Sequence, residues 1–361
     1  MIVLPVYKDN KRNTWYIATR KRNIQGDLKY IKKRGFQTKK EAQFAEASLL
    51  LNNDVSFNIS FKELYLDYLE HQKNNVKTRT LLTFTNRFEK HVLPYFENKK
   101  IKDITLKNYQ EWKKIINNKN YTNNYKKGIH TNIVSLFNYG IRFHNLKTNI
   151  PSIVGGFKDT EIKKELLFWT YEEFKQFINV VDDNTYYCFF NSLYYTGMRL
   201  GETLALNWND IDFEKGEIKI NKSISRRVKG KDYTITSPKT KSSNRTVLMP
   251  KELLNIYNKY FQEQKQIKGF ELQWFVFGGF RPLPETSIAR NKDKYCEISG
   301  VKKIRIHDFR HSHASLLINK GANVTIIAQR LGHSDIAMTL NTYSHMFPNS
   351  QKEIVHLIDN I

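Results

Sequence analysis

Cysteine is scarce in this chain of 361 residues, which contains only Cys188 and Cys296. Two thiols so far apart, in no paired motif, supply neither a disulfide framework nor a cysteine zinc knuckle. Long apolar runs are also missing, because no stretch approaches the roughly 18 residues of a membrane-spanning helix. The N-terminal stretch MIVLPVYKDNKR places charge where a signal peptide needs an apolar segment. The sequence therefore predicts a cytoplasmic protein with no membrane partner.

Acidic residues are also few relative to basic ones. The chain has 35 Asp and Glu against 59 Lys and Arg, and its net charge is +24. This imbalance exceeds what solubility requires, and its field attracts polyanions. Nucleic acid is the expected partner, while a highly charged or ribosome-associated protein is the alternative and a membrane surface a lesser rival. The length predicts two or three domains, each with its own core.

Residues 1–54 are predicted to form a three-stranded sheet followed by a helix, because aromatic and β-branched segments alternate with turn residues. Thr38 and Glu41 form a capping box at the predicted start of the helix. Residues 1–40 contain twelve Lys or Arg and two Asp, interleaved with aromatic residues such as Trp15. This mixture favours a small sheet inserted in a DNA groove over a solvated edge sheet.

The remaining pattern predicts three further regions. Residues 55–150 have helical periodicity throughout and are interpreted as a four-helix domain. Residues 151–164 contain Pro, paired Gly and little periodicity, which is typical of a linker. Residues 165–361 combine helices with strands over 211–249 and form the last domain. The predicted fold is multidomain and mostly α with small β elements, and its last domain is mixed α/β.

Four segments of the last domain share a cationic character. They are TGMRLGE, SPKTKSSNRTV, HDFRHSHAS and LGHSDIAMTLNTYSH. None supplies the carboxylate cluster that a magnesium-dependent nuclease needs. A metal-free cationic site can still break a phosphodiester if it has its own nucleophile, such as a tyrosine hydroxyl. Because free tyrosine has a pKa of about 10, nearby arginines would have to activate it while they bind the phosphate oxygens.

The four segments, in this order, resemble those of the tyrosine recombinases, the DNA integrases of phages and mobile elements. The resemblance implies a catalytic set composed of Arg199, Lys239, His307, Arg310, His333 and Tyr343. Glu202 would support this set without contacting the DNA. Arg199 and Arg310 would clamp the phosphate, and Tyr343 would attack it. His307 and His333 would form hydrogen bonds or handle protons. Glu202 would share a helix face with Arg199.

In the reaction that the resemblance implies, Lys239 protonates the leaving 5′ oxygen while the tyrosine forms a 3′-phosphotyrosyl bond. A DNA 5′-hydroxyl then attacks this bond, so the reaction needs no ATP, metal or cofactor. Lys241 remains an alternative, because two residues that are two apart in an extended segment project on one face. Lys239 is favoured because family members place the lysine in a Lys-Thr step ahead of a Ser and an Arg, here Ser243 and Arg245.

The resemblance also covers the N-terminal domains. Residues 55–150 are similar to the family's core-binding domain, and residues 1–54 to its arm-binding domain. The implied partners are double-stranded DNA at core and arm sites, a homotetramer on that DNA, and accessory DNA-bending or directionality proteins, all at the bacterial nucleoid. The C-terminal tail is amphipathic and would dock on a neighbouring protomer or fold back in cis. Its apolar residues are Ile354, Leu357, Ile358 and Ile361.

Other interpretations are a replicon-resolving recombinase, a catalytically silent DNA-binding regulator and a metallohydrolase. The last would use His307 and His311, which are four apart, but no third ligand with zinc-site spacing accompanies them. Asp210 and Asp212 are expected to form a turn rather than bind a metal. Packing or supporting roles are expected of three further histidines, His311, His313 and His345.

Overall fold

The computed structural model describes residues 6–22, 28–51, 59–158, 166–225, 232–237 and 244–346, together with Val355 and Asp359. The chain divides into two compact units, Met1–Lys163 and Lys164–Ile361. The described part is mostly helical with small sheets, as predicted. Among the described helices, none has both the length and the apolar character required to cross a bilayer.

The first unit begins with an antiparallel sheet in the order β1-β2-β3, covered by one helix. Its elements are β1 (Val6–Asp9), β2 (Thr14–Arg22), β3 (Leu28–Phe36) and α1 (Lys39–Leu51). Ile17 and Phe36 point inward and are fully buried against Ala42 and Ala45 of α1. The predicted cap of α1 is present, because the Thr38 hydroxyl accepts a hydrogen bond from the Glu41 amide at 3.1 Å.

A bundle of helices follows. Its elements are α2 (Phe61–Lys73), α3 (Thr78–His91), α4 (Leu93–Phe96), α5 (Leu106–Asn117), α6 (Asn123–Phe143) and α7 (Ile150–Val154). Helical spacing predicts an apolar face on α6 formed by Ile129, Ile133, Leu136, Phe137 and Ile141; Ile141 is half-buried, and the other four are buried. They pack on an aromatic core that includes Phe61. The period of 3.6 residues therefore placed this face correctly.

The first part of the segment predicted as a linker packs on the bundle. Beyond α7, Phe157 is 9% exposed and its ring lies 6.3 Å from that of Trp112. The Lys113 ammonium donates to two backbone carbonyls of the same segment at 2.8 and 3.0 Å. Residues 159–165 lie outside the described residues, so the domain boundaries stay a prediction.

The N-terminal sheet also contacts the end of α6. The Lys33 ammonium donates to the Ile141 carbonyl at 2.8 Å and to the Asn145 side chain at 3.2 Å. Phe36 meets Phe143 edge to face, with ring centroids 6.3 Å apart. The sheet and the bundle are therefore in direct contact within the first unit.

The second unit surrounds a large apolar core. Its helices are α8 (Tyr171–Ile178), α9 (Asn184–Thr196), α10 (Leu200–Ala205), α11 (Lys251–Lys265), α12 (Glu285–Ser299), α13 (Asp308–Asn319), α14 (Val324–Leu331) and α15 (Ile336–Tyr343). Its strands form a sheet β4-β5-β8 and a hairpin β6-β7. They are β4 (Ile211–Asp212), β5 (Glu217–Ile220), β6 (Ser223–Ser225), β7 (Thr234–Thr236) and β8 (Arg245–Leu248). Phe309 of α13 packs between Trp169 and Phe190, which anchors the start of this helix in the core.

The two aspartates lie at the entry to the β4-β5-β8 sheet, with Asp210 ending a 3-10 turn and Asp212 within β4, so the predicted turn is confirmed for Asp210 only. Asp210 accepts a hydrogen bond from the Asn207 amide at 2.8 Å and an ion pair from Lys222 at 2.6 Å. Asp212 accepts from the Lys215 amide at 2.9 Å. Both carboxylates therefore serve the local backbone and its charge balance.

Candidate active site

Arg310 lies in the first turn of α13 and is 3% exposed. Its two terminal nitrogens donate to the Gly197 carbonyl at 2.9 Å and to the Leu331 carbonyl at 2.6 Å. These carbonyls terminate α9 and α14, so the negative ends of two helix dipoles face the guanidinium. Burial, assisted by the charge of Arg199, lowers the pKa of Arg310 to about 9. The cation is therefore held by backbone carbonyls and remains charged at neutral pH.

Gly197 makes this arrangement possible. It ends α9 with φ of +65°, a left-handed conformation that favours glycine. A Cβ at this position would come within 2.7 Å of both the His313 ring and the Leu331 side chain. The glycine of TGMRLGE is therefore required for the backbone conformation that brings the Gly197 carbonyl to Arg310.

A carboxylate joins two further arginines. Glu202 accepts from the Arg199 guanidinium at 2.8 Å and from the Arg245 guanidinium at 2.9 Å. It also accepts from the Arg199 backbone amide at 2.9 Å, because Arg199 is the N-cap of α10 and precedes the helix. The prediction that Arg199 and Glu202 share a helix face is therefore wrong, because only Glu202 lies within the helix. Burial alone would raise the Glu202 pKa, but Arg245 and Arg199 hold it below its ordinary value.

The two histidines of the predicted set lie beside these arginines. His307 immediately precedes α13 at its N-cap position, and His333 follows α14 and is hydrogen-bonded to Thr339 at 2.7 Å. Burial lowers the pKa of His307, and it lowers that of His333 to about 4, in both cases with help from the charge of Arg310. Both imidazoles are therefore neutral at physiological pH.

Tyr343 ends α15 and is 1% exposed. Its hydroxyl lies 2.7 Å from Nδ1 of His311. Burial raises the pKa of Tyr343 to about 12, although Arg310 opposes this effect. The sequence predicted that arginines would activate the phenol, but in this structure desolvation outweighs their charge. The phenol is therefore protonated and hydrogen-bonded here.

The contact between His311 and Tyr343 was not predicted from the sequence. His311 was expected to pack or support, yet its ring meets the predicted nucleophile directly. The signal was present, since His311 follows Arg310 and lies one helical turn after His307. That spacing was instead interpreted as a possible metal pair. His313 does have the expected supporting role, because its ring donates to the Tyr194 carbonyl at 2.8 Å.

The structure brings most of the predicted set together. Three consecutive residues, 331–333, link the two arginines to His333. The Leu331 carbonyl accepts from Arg310, and the Gly332 carbonyl accepts from Arg199 at 3.5 Å. His333 is the next residue in the chain. Lys239 and Lys241 lie outside the described residues, as do the tail residues at 354, 357, 358 and 361. The described cluster combines several cations with a tyrosine hydroxyl, which suits a phosphate-binding site with its own nucleophile.

Acid should destabilise this unit. Burial lowers the pKa of His311 to about 4, of His313 to about 3 and of His333 to about 4. In the unfolded chain these groups bind protons below about pH 6.5, so stability is lost as the pH falls from there towards the folded values. His313 alone should contribute a loss of about 2 kcal/mol by about pH 5.

Thermal melts at about pH 7.5 and about pH 5 measure this effect. His313→Asn is the matched control, because it removes one of the three titrating groups. Its melting temperature should fall less between the two pH values than that of the wild type. Equal melting temperatures of the wild type at both pH values would contradict the account.

Three family models match the chain. Arm DNA-binding domain matches residues 5–52, the N-terminal SAM-like domain of phage integrases matches 60–117, and Phage integrase family matches 168–350. The last match alone covers half of the chain. Together the models define a DNA recombination enzyme with an arm-binding module.

The chain belongs to the phage integrase family of tyrosine recombinases. It is 31% identical to the ICEBs1 integrase of Bacillus subtilis (strain 168) over 344 residues, covering 90% of each chain. Its fold matches the Tn1549 transposon integrase in complex with transposon right end DNA, with a TM-score of 0.69 and 23% identity over 83% of this chain and all of that one. It also matches a lambda integrase tetramer bound to a Holliday junction, with a TM-score of 0.56 and 15% identity over 92% and 96% of the two chains.

Proposed function

We propose that this recombinase integrates and excises a mobile genetic element by forming a covalent 3′-phosphotyrosyl bond through Tyr343. The observation that carries this proposal is the buried Tyr343 hydroxyl, which is hydrogen-bonded at 2.7 Å to His311, the residue that follows the buried Arg310 on α13. A scissile phosphate that reaches this site meets two guanidinium groups and an oxygen nucleophile. The match of the Arm DNA-binding domain to residues 5–52 favours an integrase over a replicon-resolving enzyme.

The proposed reaction exchanges one phosphodiester for another. Arg199 and Arg310 bind the non-bridging oxygens and stabilise the charge that develops on the pentacoordinate phosphorus. The Tyr343 oxygen bonds to phosphorus, and the 5′ oxygen leaves with a proton from Lys239. A 5′-hydroxyl later attacks the phosphotyrosyl bond and releases the tyrosine. Because bond energy is conserved, these steps use no nucleotide, metal or cofactor.

We further propose that the enzyme acts as a homotetramer that bridges core and arm sites on double-stranded DNA. The support is the shared fold with the lambda integrase tetramer and the charge of the N-terminal sheet. On that sheet, Tyr7 stacks on Tyr16, and the Lys32 ammonium lies 4.8 Å from the Tyr16 ring. The location we propose is the nucleoid of the bacterial cytoplasm, where accessory DNA-bending or directionality proteins would assist.

The test is a cleavage assay with a nicked duplex that carries the joined ends of the mobile element. The wild type should form a covalent protein–DNA adduct in the presence of EDTA. Tyr343→Phe should form none, because the substitution removes the attacking oxygen. Tyr187→Phe is the control, since it removes a half-buried phenol from α9 of the same unit. An undiminished adduct with Tyr343→Phe, or an adduct that needs a divalent metal, would contradict the proposal.

A further inference from the structure

We propose that His311 accepts the proton of the Tyr343 hydroxyl as this tyrosine attacks the phosphate, and that the charge of Asp308 stabilises the imidazolium that forms. The inference rests on the proposed function, because it requires Tyr343 to be the nucleophile. It adds a catalytic residue to those that the family resemblance implied, and it gives a chemical role to the second histidine of HDFRHSH.

The contact between the two side chains has the geometry of proton transfer. The distance from Nδ1 of His311 to the Tyr343 oxygen is 2.7 Å, which is within the range expected of a general base. The ring centroids lie 5.6 Å apart with a 63° angle between the planes. The His311 side chain is 12% exposed and Tyr343 is 1% exposed, so bulk water has little access to the shared proton.

A buried carboxylate faces the other side of the imidazole. Oδ1 of Asp308 lies 3.9 Å from Nε2 of His311, and Asp308 is fully buried. The backbone amide and guanidinium of Arg305 fix this carboxylate at 2.8 and 2.7 Å. When Nδ1 accepts from the phenol, the ring proton is on Nε2 and points towards Asp308. At 3.9 Å the two atoms are beyond hydrogen-bond distance, so Asp308 acts on His311 through its charge.

The protonation state of His311 is the one that a base requires. Burial lowers its pKa to about 4, and the charges of Arg305 and Arg310 act in the same direction against Asp308. The imidazole is therefore neutral with a free lone pair over the physiological range, and it takes the proton only as the forming O–P bond weakens the hold of the tyrosine oxygen on it. His307 also packs edge to face on the His311 ring at 5.4 Å, which restricts its rotation.

The Tyr343 O–H bond breaks and its proton moves to Nδ1 of His311 while the O–P bond forms. The bond from phosphorus to the 5′ oxygen breaks, and the leaving oxygen takes a proton from the acid of the proposed function. During rejoining the imidazolium returns its proton to the tyrosine oxygen. Asp308 stabilises the imidazolium between the two half-reactions through its charge.

The same hydrogen bond could instead lock the nucleophile in a resting state, and the two roles predict opposite results. If His311 is a base, its removal slows covalent attack. If it is a lock, its removal frees the phenol and speeds attack. The rate of adduct formation by His311→Ala therefore separates the two roles.

The experiment compares a nicked duplex that has the normal 5′ oxygen at the scissile position with one that has sulfur there. A thiolate leaves without being protonated, so the sulfur substrate makes the leaving-group acid dispensable, whichever lysine supplies it. His311→Ala should be about 100-fold slower than the wild type on both substrates, the lower range for loss of a general base. Lys239→Ala should be slow only on the oxygen substrate.

Added imidazole provides a readout that a purely structural role would not change. It should restore part of the His311→Ala rate on the sulfur substrate, because a free base can occupy the vacated space beside Tyr343. His311→Gln keeps a side chain of similar size and should remain slow without rescue. His313→Asn is the matched control on the same helix, and its rate per folded molecule, with folding followed by thermal melts, should not respond to imidazole.

Two results would overturn the inference. One is a His311→Ala rate equal to or above that of the wild type on the sulfur substrate. The other is a folded His311→Ala protein that is slow but insensitive to imidazole. Failure of the proposed function is a different result, because Tyr343→Phe would then still form the adduct on either substrate.

Discussion

Replacing Arg310 with alanine should abolish covalent attack and also weaken the fold of the catalytic unit. The guanidinium would contact the phosphate in the transition state, where loss of one such stabilising group costs about 100-fold to 1,000-fold in rate. The same side chain satisfies the terminal carbonyls of α9 and α14 at Gly197 and Leu331. Leaving those carbonyls unpaired in the interior should cost about 1–3 kcal/mol of unfolding free energy. Adduct formation and urea denaturation measure the two effects separately.

Arg330 offers the matched control for this prediction. It is also a carbonyl-bonded arginine, since it donates to Tyr195 and Leu248 at 3.0 Å each. It donates to the His313 ring as well, at 3.1 Å, and no hydrogen bond joins it to Tyr343 among the described residues. Arg330→Ala should therefore lose a similar amount of stability but retain most of the cleavage rate per folded molecule. Equal cleavage rates for Arg310→Ala and Arg330→Ala would show that the phosphate role of Arg310 is wrong.

Replacing Glu202 with alanine should cause the second large effect, a loss of unfolding free energy. This carboxylate is buried between Arg199 and Arg245, and the Arg245 side chain is itself 7% exposed. Glu202→Ala would leave two cations close together without their shared anion. Breaking a buried ion pair from one side costs about 3–5 kcal/mol, so urea denaturation should show a loss of that order. Glu202→Gln should lose less, because an amide oxygen can still accept from one guanidinium.

DNA should partly compensate for this loss. A bound phosphate supplies negative charge near Arg199, so site-containing duplex should stabilise Glu202→Ala by more than it stabilises the wild type. Glu252→Ala is the control, since this exposed carboxylate accepts from the Tyr195 hydroxyl at 2.7 Å. Its loss should cost less than about 1 kcal/mol. A Glu202→Ala protein as stable as Glu252→Ala would contradict the proposed charge balance.

Much of the fold was predictable because local patterns and tertiary packing agree. The apolar stripe on α6 and the Thr38 cap of α1 both appear where periodicity and capping rules place them. Arg199, Arg310 and Tyr343 were selected as candidates because each stands in a short segment of small or turn-forming residues, in a fixed order, and their catalytic roles stay a prediction. Prediction from sequence succeeds best where a residue type and its position each limit the alternatives.

The contacts that define the site in detail have no such sequence signal. The Arg310 pocket is built from backbone carbonyls, which every residue carries. The contact between His311 and Tyr343 depends on how α13 and α15 pack, and the same His-x-x-x-His spacing equally suggested a metal pair. The pKa of Tyr343 was predicted from neighbouring charge alone, while burial has the larger effect in the structure. Each of these features follows from tertiary packing.

The central claim is tested most directly by mapping the covalent bond. The protein is incubated in EDTA with the nicked duplex, the adduct is digested with protease and nuclease, and the nucleotide-bearing peptide is sequenced by mass spectrometry. The account predicts a 3′-linked nucleotide on the Tyr343 hydroxyl. Attachment to any other residue, or an adduct that appears only when a divalent metal is restored, would contradict it.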